Sequence, residues 1–327
     1  MTTKSLPLSE QFPDTSRLVY GCMGLGGGWD QIQQPLTEDD HRVADTAIDA
    51  ALAAGITFFD HADIYAGGKA EAVFGERLKR QPSLRDQIIL QSKCGIRFAD
   101  EHGPQRFDFS PEWINESVDN SLRRLHTDHL DILLLHRPDP LMEPEAVAEV
   151  FARLQQSGKV RQFGVSNMDA HQMALLQDAL DAPLLVNQIE LSLSRLDFLN
   201  QGVDQNTASN PNPTFAPGTL EYCRRNSVQL QSWGCLSQGL FSGRDVTDQP
   251  AHIQQSAQLV ADLAAQHGVS REAIVLAWLM RHPAGIQPVI GTTNPDRIAA
   301  CAEANGFTMN REDWYRLFEA ARGQSVP

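Results

Sequence analysis

With 327 residues and 42% hydrophobic side chains, the chain can bury a substantial core, and it exceeds the roughly 250 residues typical of a β/α barrel by enough to allow loop insertions. A formal charge of −14 opposes non-specific binding to nucleic acid or to an anionic membrane and favours a small-molecule ligand. The odd set Cys22, Cys94, Cys223, Cys235 and Cys301 contains no C-x-x-C pair, residues 1–16 lack an apolar signal region, and no run reaches the ~18 apolar residues of a membrane span, so a soluble, cytoplasmic, single-domain protein is expected, monomeric or weakly associated.

Short β-rich runs alternate with amphipathic segments of helical length, the pattern of repeated βα units around a parallel sheet. A first strand over RLVYGCM (17–23) precedes a helix over 38–55, where Val43, Ala47, Ile48, Ala51 and Leu52 share one face and Gly55 stops the helix. ITFFD (56–60) leads to a helix over 70–80. QIILQSKC (87–94) leads to one that starts at Ser110-Pro111-Glu112, with the serine as cap and the proline in the first turn. LDILLLH (130–136) is followed by a helix at 143–157 ended by Gly158, and VRQFGVS (160–166) by one at 169–180. LLVNQIE (184–190) and VQLQSWG (228–234) are the sixth and seventh strands, and helices at 252–267 and 270–282 separate the seventh from IQPVIG (286–291), the eighth. Helices at 295–304 and 310–321 finish the chain. The expected architecture is a (β/α)8 TIM barrel whose long aperiodic loops, 95–110 and 201–218, lie on the face formed by the carboxyl ends of the strands.

Asp60, Tyr65, Lys93 and His136 stand at or just past the carboxyl ends of three of these runs, so a barrel gathers them into one pocket. A lysine charge about 4 Å from a phenolate is worth roughly 4 kcal/mol at an effective dielectric of about 20, or about three pKa units before desolvation is subtracted. Lys93 is therefore expected to lower the pKa of Tyr65 and poise it for proton transfer. Asp60 is expected to pair with Lys93 and keep it charged, and His136, as a neutral imidazole, to hydrogen-bond a substrate carbonyl. The same residues permit two other readings. Asp60, His61, Asp63 and His136 have the ligand types of a barrel metal site, although the adjacent lysine competes for the carboxylate and no metal is expected. Lys93 could form a Schiff base, but Asp60 should hold it protonated and poorly nucleophilic.

The segments FFDHADIYAGGKAEAVFGERL (58–78), ILQSKCG (89–95), DILLLHRPD (131–139), GKVRQFGVSN (158–167) and NQIELS (187–192) resemble the signature segments of the aldo-keto reductase family, and the likeness runs from about Val19 to Ile298. It is nearest in character to the bacterial branch of predicted oxidoreductases. The resemblance implies a barrel that binds NADPH in extended form and reduces a small aldehyde or ketone by hydride transfer. In that scheme Tyr65 is the general acid, Lys93 and Asp60 tune it, and His136 orients the carbonyl. It also implies that Ser166, Asn167 and Gln188 bond the nicotinamide carboxamide, that Trp233 stacks on the ring, and that Gly234, Leu236, Ser237, Gln238, Gly239 and Leu240 pass the pyrophosphate. PVIGTTNPDRI (288–298) resembles the segment that holds the adenosine 2′-phosphate, with Thr292, Thr293, Asn294 and Arg297 as contacts at a helix N-terminus. Gly291, which also borders this site, stands where many relatives carry lysine. Ala300 and Cys301 replace a pair that often bonds adenine. GCMGLGGG (21–28) lacks the strand-to-helix setting of a dinucleotide fingerprint and reads as a pocket loop that brings Gly21, Cys22 and Met23 to the cofactor. Trp29, Ile64 and Phe98 are expected as apolar walls. The alternative function is a regulatory NADP-sensing subunit with little turnover, which the absence of a coiled-coil extension disfavours.

Overall fold

The computed structural model describes residues 6–204 and 216–327. Its central strands are β1 (Val19–Gly21), β2 (Phe58–Asp60) and β3 (Ile89–Cys94), then, after a short antiparallel hairpin of β4 (Ile96–Arg97) and β5 (Arg106–Phe107), β6 (Leu130–Leu135), β7 (Val160–Ser166), β8 (Val186–Glu190), β9 (Gln229–Trp233) and β10 (Gln287–Ile290). Leaving out the hairpin, these eight strands pair in parallel in chain order and close into a barrel, with Val19 opposite Val289 where β10 meets β1. The expected (β/α)8 barrel is the observed architecture.

The period-two alternation of each strand sorts its side chains between two cores. Val19, Phe58, Ile89, Ile132, Leu134, Val186 and Val289 form one apolar cluster, joined by Leu6 and Leu8 from the segment before β1. Their neighbours Tyr20, Phe59, Leu90, Leu133, Leu135, Ile189 and Ile290 belong to the larger cluster shared with the helices. The same alternation carries Asp60, Gln91, Lys93 and His136 onto the face of Phe58, Ile89 and Leu134. Two residues of apolar strand thus lead directly into a layer of polar ones.

Helices follow the strands as the periodicity predicts. α1 (Glu38–Ala53) starts at a Thr37/Asp40 capping box, α2 (Lys69–Arg80) follows β2, and α3 (Pro111–Leu125) starts at the Ser110 cap. α4 (Pro144–Gln156) and α5 (Ala170–Gln177) continue the repeat. Two short helices between β8 and β9, α6 (Asp197–Val203) and α7 (Thr219–Arg225), were not expected from the sequence. Each has only seven residues, too few for a readable apolar period. α6 occupies the start of the insertion assigned to 201–218, and residues 205–215 of that insertion lie outside the described residues. The other insertion, 95–110, contains the β4–β5 hairpin, tied by Asp100 to Arg97 and Arg106. α8 (Ala251–His267), α9 (Arg271–Met280), α10 (Pro295–Ala302) and α11 (Arg311–Arg322) complete the chain. Trp278 of α9 and Trp314 of α11 stack at 5.4 Å, each indole N–H donating to the other's carbonyl. Among the described residues no helix is long and apolar enough to cross a membrane.

α2 and α3 cross with no side chain between them at Gly75. A Cβ there would overlap the carbonyl oxygen of Arg124 and lie 2.8 Å from the Cα of Leu125. Alanine in an open helix would gain about 1 kcal/mol over glycine, so a loss isolates the steric cost. Gly75→Ala is expected to destabilise the fold by about 2–3 kcal/mol in urea unfolding.

Candidate active site

Strand geometry brings the four ionisable residues together at the carboxyl end of the barrel. Asp60 ends β2, Lys93 lies in β3, His136 follows β6, and Tyr65 begins a turn of 3-10 helix over Tyr65–Gly68. Lys93 Nζ donates to Asp60 Oδ2 at 2.7 Å, to the carbonyl of His61 at 2.9 Å and to Tyr65 Oη at 2.9 Å. The Tyr65 and His136 rings meet edge to face with centroids 6.0 Å apart. Asp60, Tyr65 and His136 line a cleft of about 910 Å³, whereas Lys93, 1% exposed, sits beneath it. Its three oxygen partners use all three ammonium protons, which leaves no nucleophilic lone pair for Schiff-base chemistry.

Burial and charge set the protonation states. Burial lowers the pKa of Lys93, but Asp60 and Tyr65 outweigh it and the net direction is upward, so the ammonium stays charged. Tyr65 departs from expectation. Burial raises its pKa by more than Lys93 lowers it, and the Asp60 carboxylate, 2.7 Å from the ammonium, adds a smaller upward push. The phenol therefore keeps its proton at neutral pH. His136 is held well below the usual histidine range by burial and by the cations Lys93 and Arg137, so its imidazole is neutral. Its Nδ1 is buried without a partner among the described residues, which leaves Nε2 as the ring nitrogen that meets the cleft.

A layer of glutamines supports this centre. Gln91 Nε2 donates to Asp60 Oδ1 at 2.6 Å and to Gln231 Oε1 at 2.9 Å; Gln231 accepts from Gln188 at 3.0 Å and donates to Gln287 at 3.1 Å. The sequence signal for it was available: Gln91 stands two residues before Lys93, and Gln229 and Gln231 alternate with apolar residues, so each falls on the inward face.

The cleft extends from Tyr65 past β7, β8, β9 and β10. Of the residues assigned to a cofactor, Gly21, Met23, Ser166, Asn167, Gln188, Trp233, Gly234, Leu236, Ser237, Gln238, Gly239, Gly291, Thr292, Thr293 and Arg297 line it. Ser166 donates to the carbonyl of Gln188 at 2.8 Å, and Asn167 donates to Ser166 and to the carbonyl of His136 while accepting from Trp233 Nε1 at 3.1 Å. These bonds fix the indole beside His136. Glycine is required at Gly239, where φ is +82° and a Cβ would lie 3.0 Å from the Arg297 guanidinium. Beyond Gly291 the space is open, with nothing within 4 Å of a Cβ. A flat indole, glycine-lined backbone and a guanidinium at the far end are the donor set that an extended dinucleotide phosphate needs.

Three of the residues assigned to the cofactor are not among those that line the cleft. Cys22 is fully buried with its thiol toward the Tyr20 carbonyl, because the chain turns after β1 and directs it into the helix-facing core. Leu240 packs against that core instead of the cleft. Asn294 spends its side chain on the α10 N-cap, accepting from the backbone N–H groups of Asp296 and Arg297. Of the apolar walls, Trp29 and Ile64 line the cleft, and Phe98 contacts Trp29 edge to face at 6.5 Å. Sequence reasoning missed Arg137, Glu190, Ser194, Arg195, Ser242 and Glu272, which also line it.

The metal-site alternative comes apart geometrically. His61 packs on Phe74 of α2 with both ring nitrogens unpartnered among the described residues, and burial pushes its pKa down to about 3. Asp63 lies near Glu71, on the helix side of β2, and burial followed by the Glu71 charge pushes its carboxyl up to about 7. Among the described residues no three His, Cys, Asp or Glu side chains are arranged to hold a metal. Because the folded-state pKa of Asp63 lies above the unfolded value of about 3.9, the stability it contributes is fully present below about pH 4 and is lost as pH rises through 7. Asp63→Asn removes this ionisation. Urea unfolding from about pH 4 to pH 8 should show a smaller stability loss in Asp63→Asn than in the parent protein.

Comparison with known proteins agrees with this geometry. The model of the aldo/keto reductase family matches residues 17–322. A 6-dehydroglucose reductase of Agrobacterium fabrum is 40% identical over 318 residues, covering 96% of each chain. A second protein of that name, from Novosphingobium aromaticivorans, is 38% identical over 89% of this chain and 90% of its own. Among solved structures, an aldo/keto reductase from Klebsiella pneumoniae in complex with NADP and acetate aligns with a TM-score of 0.70 and 25% identity, covering 96% of this chain and 93% of its own. A glycerol dehydrogenase from Gluconobacter oxydans shares the fold, with a TM-score of 0.77 at 23% identity, over 96% of this chain and 94% of its own. With its barrel, its buried lysine centre and a family match over nearly the whole chain, this protein belongs to the aldo/keto reductase family of oxidoreductases.

Proposed function

We propose that the protein reduces an aldehyde or ketone on a small polar molecule to the alcohol, with NADPH as reductant and Tyr65 as proton donor. The observation that carries this reading is the Lys93 ammonium, bound at once by Asp60 and by the Tyr65 hydroxyl at the floor of the cleft. A bound NADPH would supply the hydride to the carbonyl carbon, so that hydride and proton together would convert the C=O into an alcohol and leave NADP+.

The chain's own residues do the rest. His136 Nε2, neutral, donates to the carbonyl oxygen and aligns it beside Tyr65 Oη. The phenol, undissociated at neutral pH, transfers its proton as negative charge builds on that oxygen, and Lys93 at 2.9 Å stabilises the phenolate left behind. Asp60 keeps the lysine charged and in place through the cycle. Gln188 and Ser166 would hold the nicotinamide carboxamide, Trp233 would offer its ring face, and Thr292, Thr293 and Arg297 would meet an adenosine phosphate; all six line the cleft. The names of the two 6-dehydroglucose reductases support a hydroxylated carbonyl substrate, in keeping with the serines and charged side chains along the cleft.

Monitoring NADPH consumption against simple and sugar-derived aldehydes, with NADH in parallel, tests the reaction and the cofactor together. Tyr65→Phe should lower kcat by roughly 10³-fold while NADPH binding, followed by tryptophan fluorescence, changes by less than about twofold. Turnover equal to that of the parent protein would remove Tyr65 from the mechanism.

A further inference from the structure

The charged side chains that line the cleft are balanced in pairs, with one exception. Asp60 is bound to Lys93, Arg195 lies 3.3 Å from Glu190, and Arg297 lies 3.5 Å from Glu272. Arg137 has no carboxylate within ion-pair distance among the described residues. Among the described residues its partner is the indole of Trp233, with the guanidinium carbon 5.6 Å from the ring centroid. Arg137 follows His136 directly in the chain, so its backbone is fixed next to the group that meets the carbonyl oxygen, and both side chains line the same cleft. Trp233 is in turn bonded to Asn167, whose amide bonds the His136 carbonyl, which locks the platform under Arg137 to the same centre.

An unpaired guanidinium beside a reaction centre is costly once a substrate displaces its water, unless the substrate brings an anion. The chain as a whole carries a charge of −14, so its long-range field repels anions and only a local cation can offset that. A guanidinium fits a carboxylate or a phosphate with two parallel hydrogen bonds. Resting on the reductase reading above, we infer that Arg137 is a specificity-determining residue that receives an anionic substituent of the carbonyl substrate. The substrate class is then an aldehyde or ketone bearing a carboxylate or phosphate a few bonds from the reacting carbon.

Two pairs of substrates test this, each pair differing in one group: succinic semialdehyde against butanal, and glyceraldehyde 3-phosphate against glyceraldehyde. The full-length protein should favour the charged member of at least one pair in kcat/KM, and which pair shows it distinguishes carboxylate from phosphate. Arg137→Gln should lower kcat/KM for that charged member by roughly 30-fold or more, mainly through KM, while the neutral member changes by less than about threefold. Arg137→Lys should recover part of the preference. NADPH affinity, measured by tryptophan fluorescence, should stay within about twofold in both variants, because the inferred contact is with substrate. No preference in the parent protein, or an equal loss on charged and neutral members in Arg137→Gln, overturns the inference and leaves the reductase reading standing. Absence of NADPH-dependent turnover on every aldehyde in the parent protein overturns the reductase reading itself, and the inference with it.

Discussion

The ammonium of Lys93 is buried at the centre of a closed sheet, and the surroundings are arranged to tolerate it. Taking a lysine and an aspartate out of water costs several kcal/mol per ion, and their attraction offsets that only when the remaining protons and lone pairs are also satisfied. Here all three ammonium protons find oxygens, and the other oxygen of Asp60 accepts from Gln91. Gln91 in turn joins the chain of amides through Gln231 and Gln287 to the Ser16 carbonyl, so the ion pair is anchored to strands on the opposite side of the barrel. A barrel filled entirely with Val, Ile and Leu would pack as well but would leave the pair under-bonded. The apolar cluster below and the glutamine layer above divide the interior between stability and chemistry.

Burial explains why the phenol behaves differently from a tyrosine next to a cation in water. Desolvation of the phenolate is the largest influence and acts upward, Lys93 opposes it, and Asp60, bound to the same ammonium, adds to the rise. A protonated phenol with a latent counterion is suited to giving a proton, since the lysine's stabilisation is realised only as the phenolate forms. The imidazole of His136 is kept neutral first by its burial and then by the cations Lys93 and Arg137 near it.

Most of the architecture was legible in the chain. Strand runs such as LDILLLH and helix signals such as Ser110-Pro111-Glu112 gave eight βα units because the period of two, the period of 3.6 and the capping chemistry all agree there. The grouping of Asp60, Lys93 and His136 followed from a single rule, that residues at the carboxyl ends of barrel strands share a face. Legibility failed at α6 and α7, where seven residues carry no period; side-chain direction was not legible at Cys22, Leu240 and Asn294, where likeness to a family segment gives only a position in the chain. A one-residue difference in where a turn begins sends a side chain into the core or out to the cleft.

The sequence by itself determined the class of fold, the set of ionisable residues at the strand ends and the alternation that turns them inward, since these depend on local periodicity and on chain order. Tertiary structure decided the direction of the Tyr65 shift, the bonding of the glutamine layer and the isolation of Arg137 among paired charges. Those properties are sums over groups from different strands at distances of a few ångströms, where burial and Coulomb energy change steeply, and residues as far apart in the chain as Gln91 and Gln231 acquire a distance only when the barrel closes.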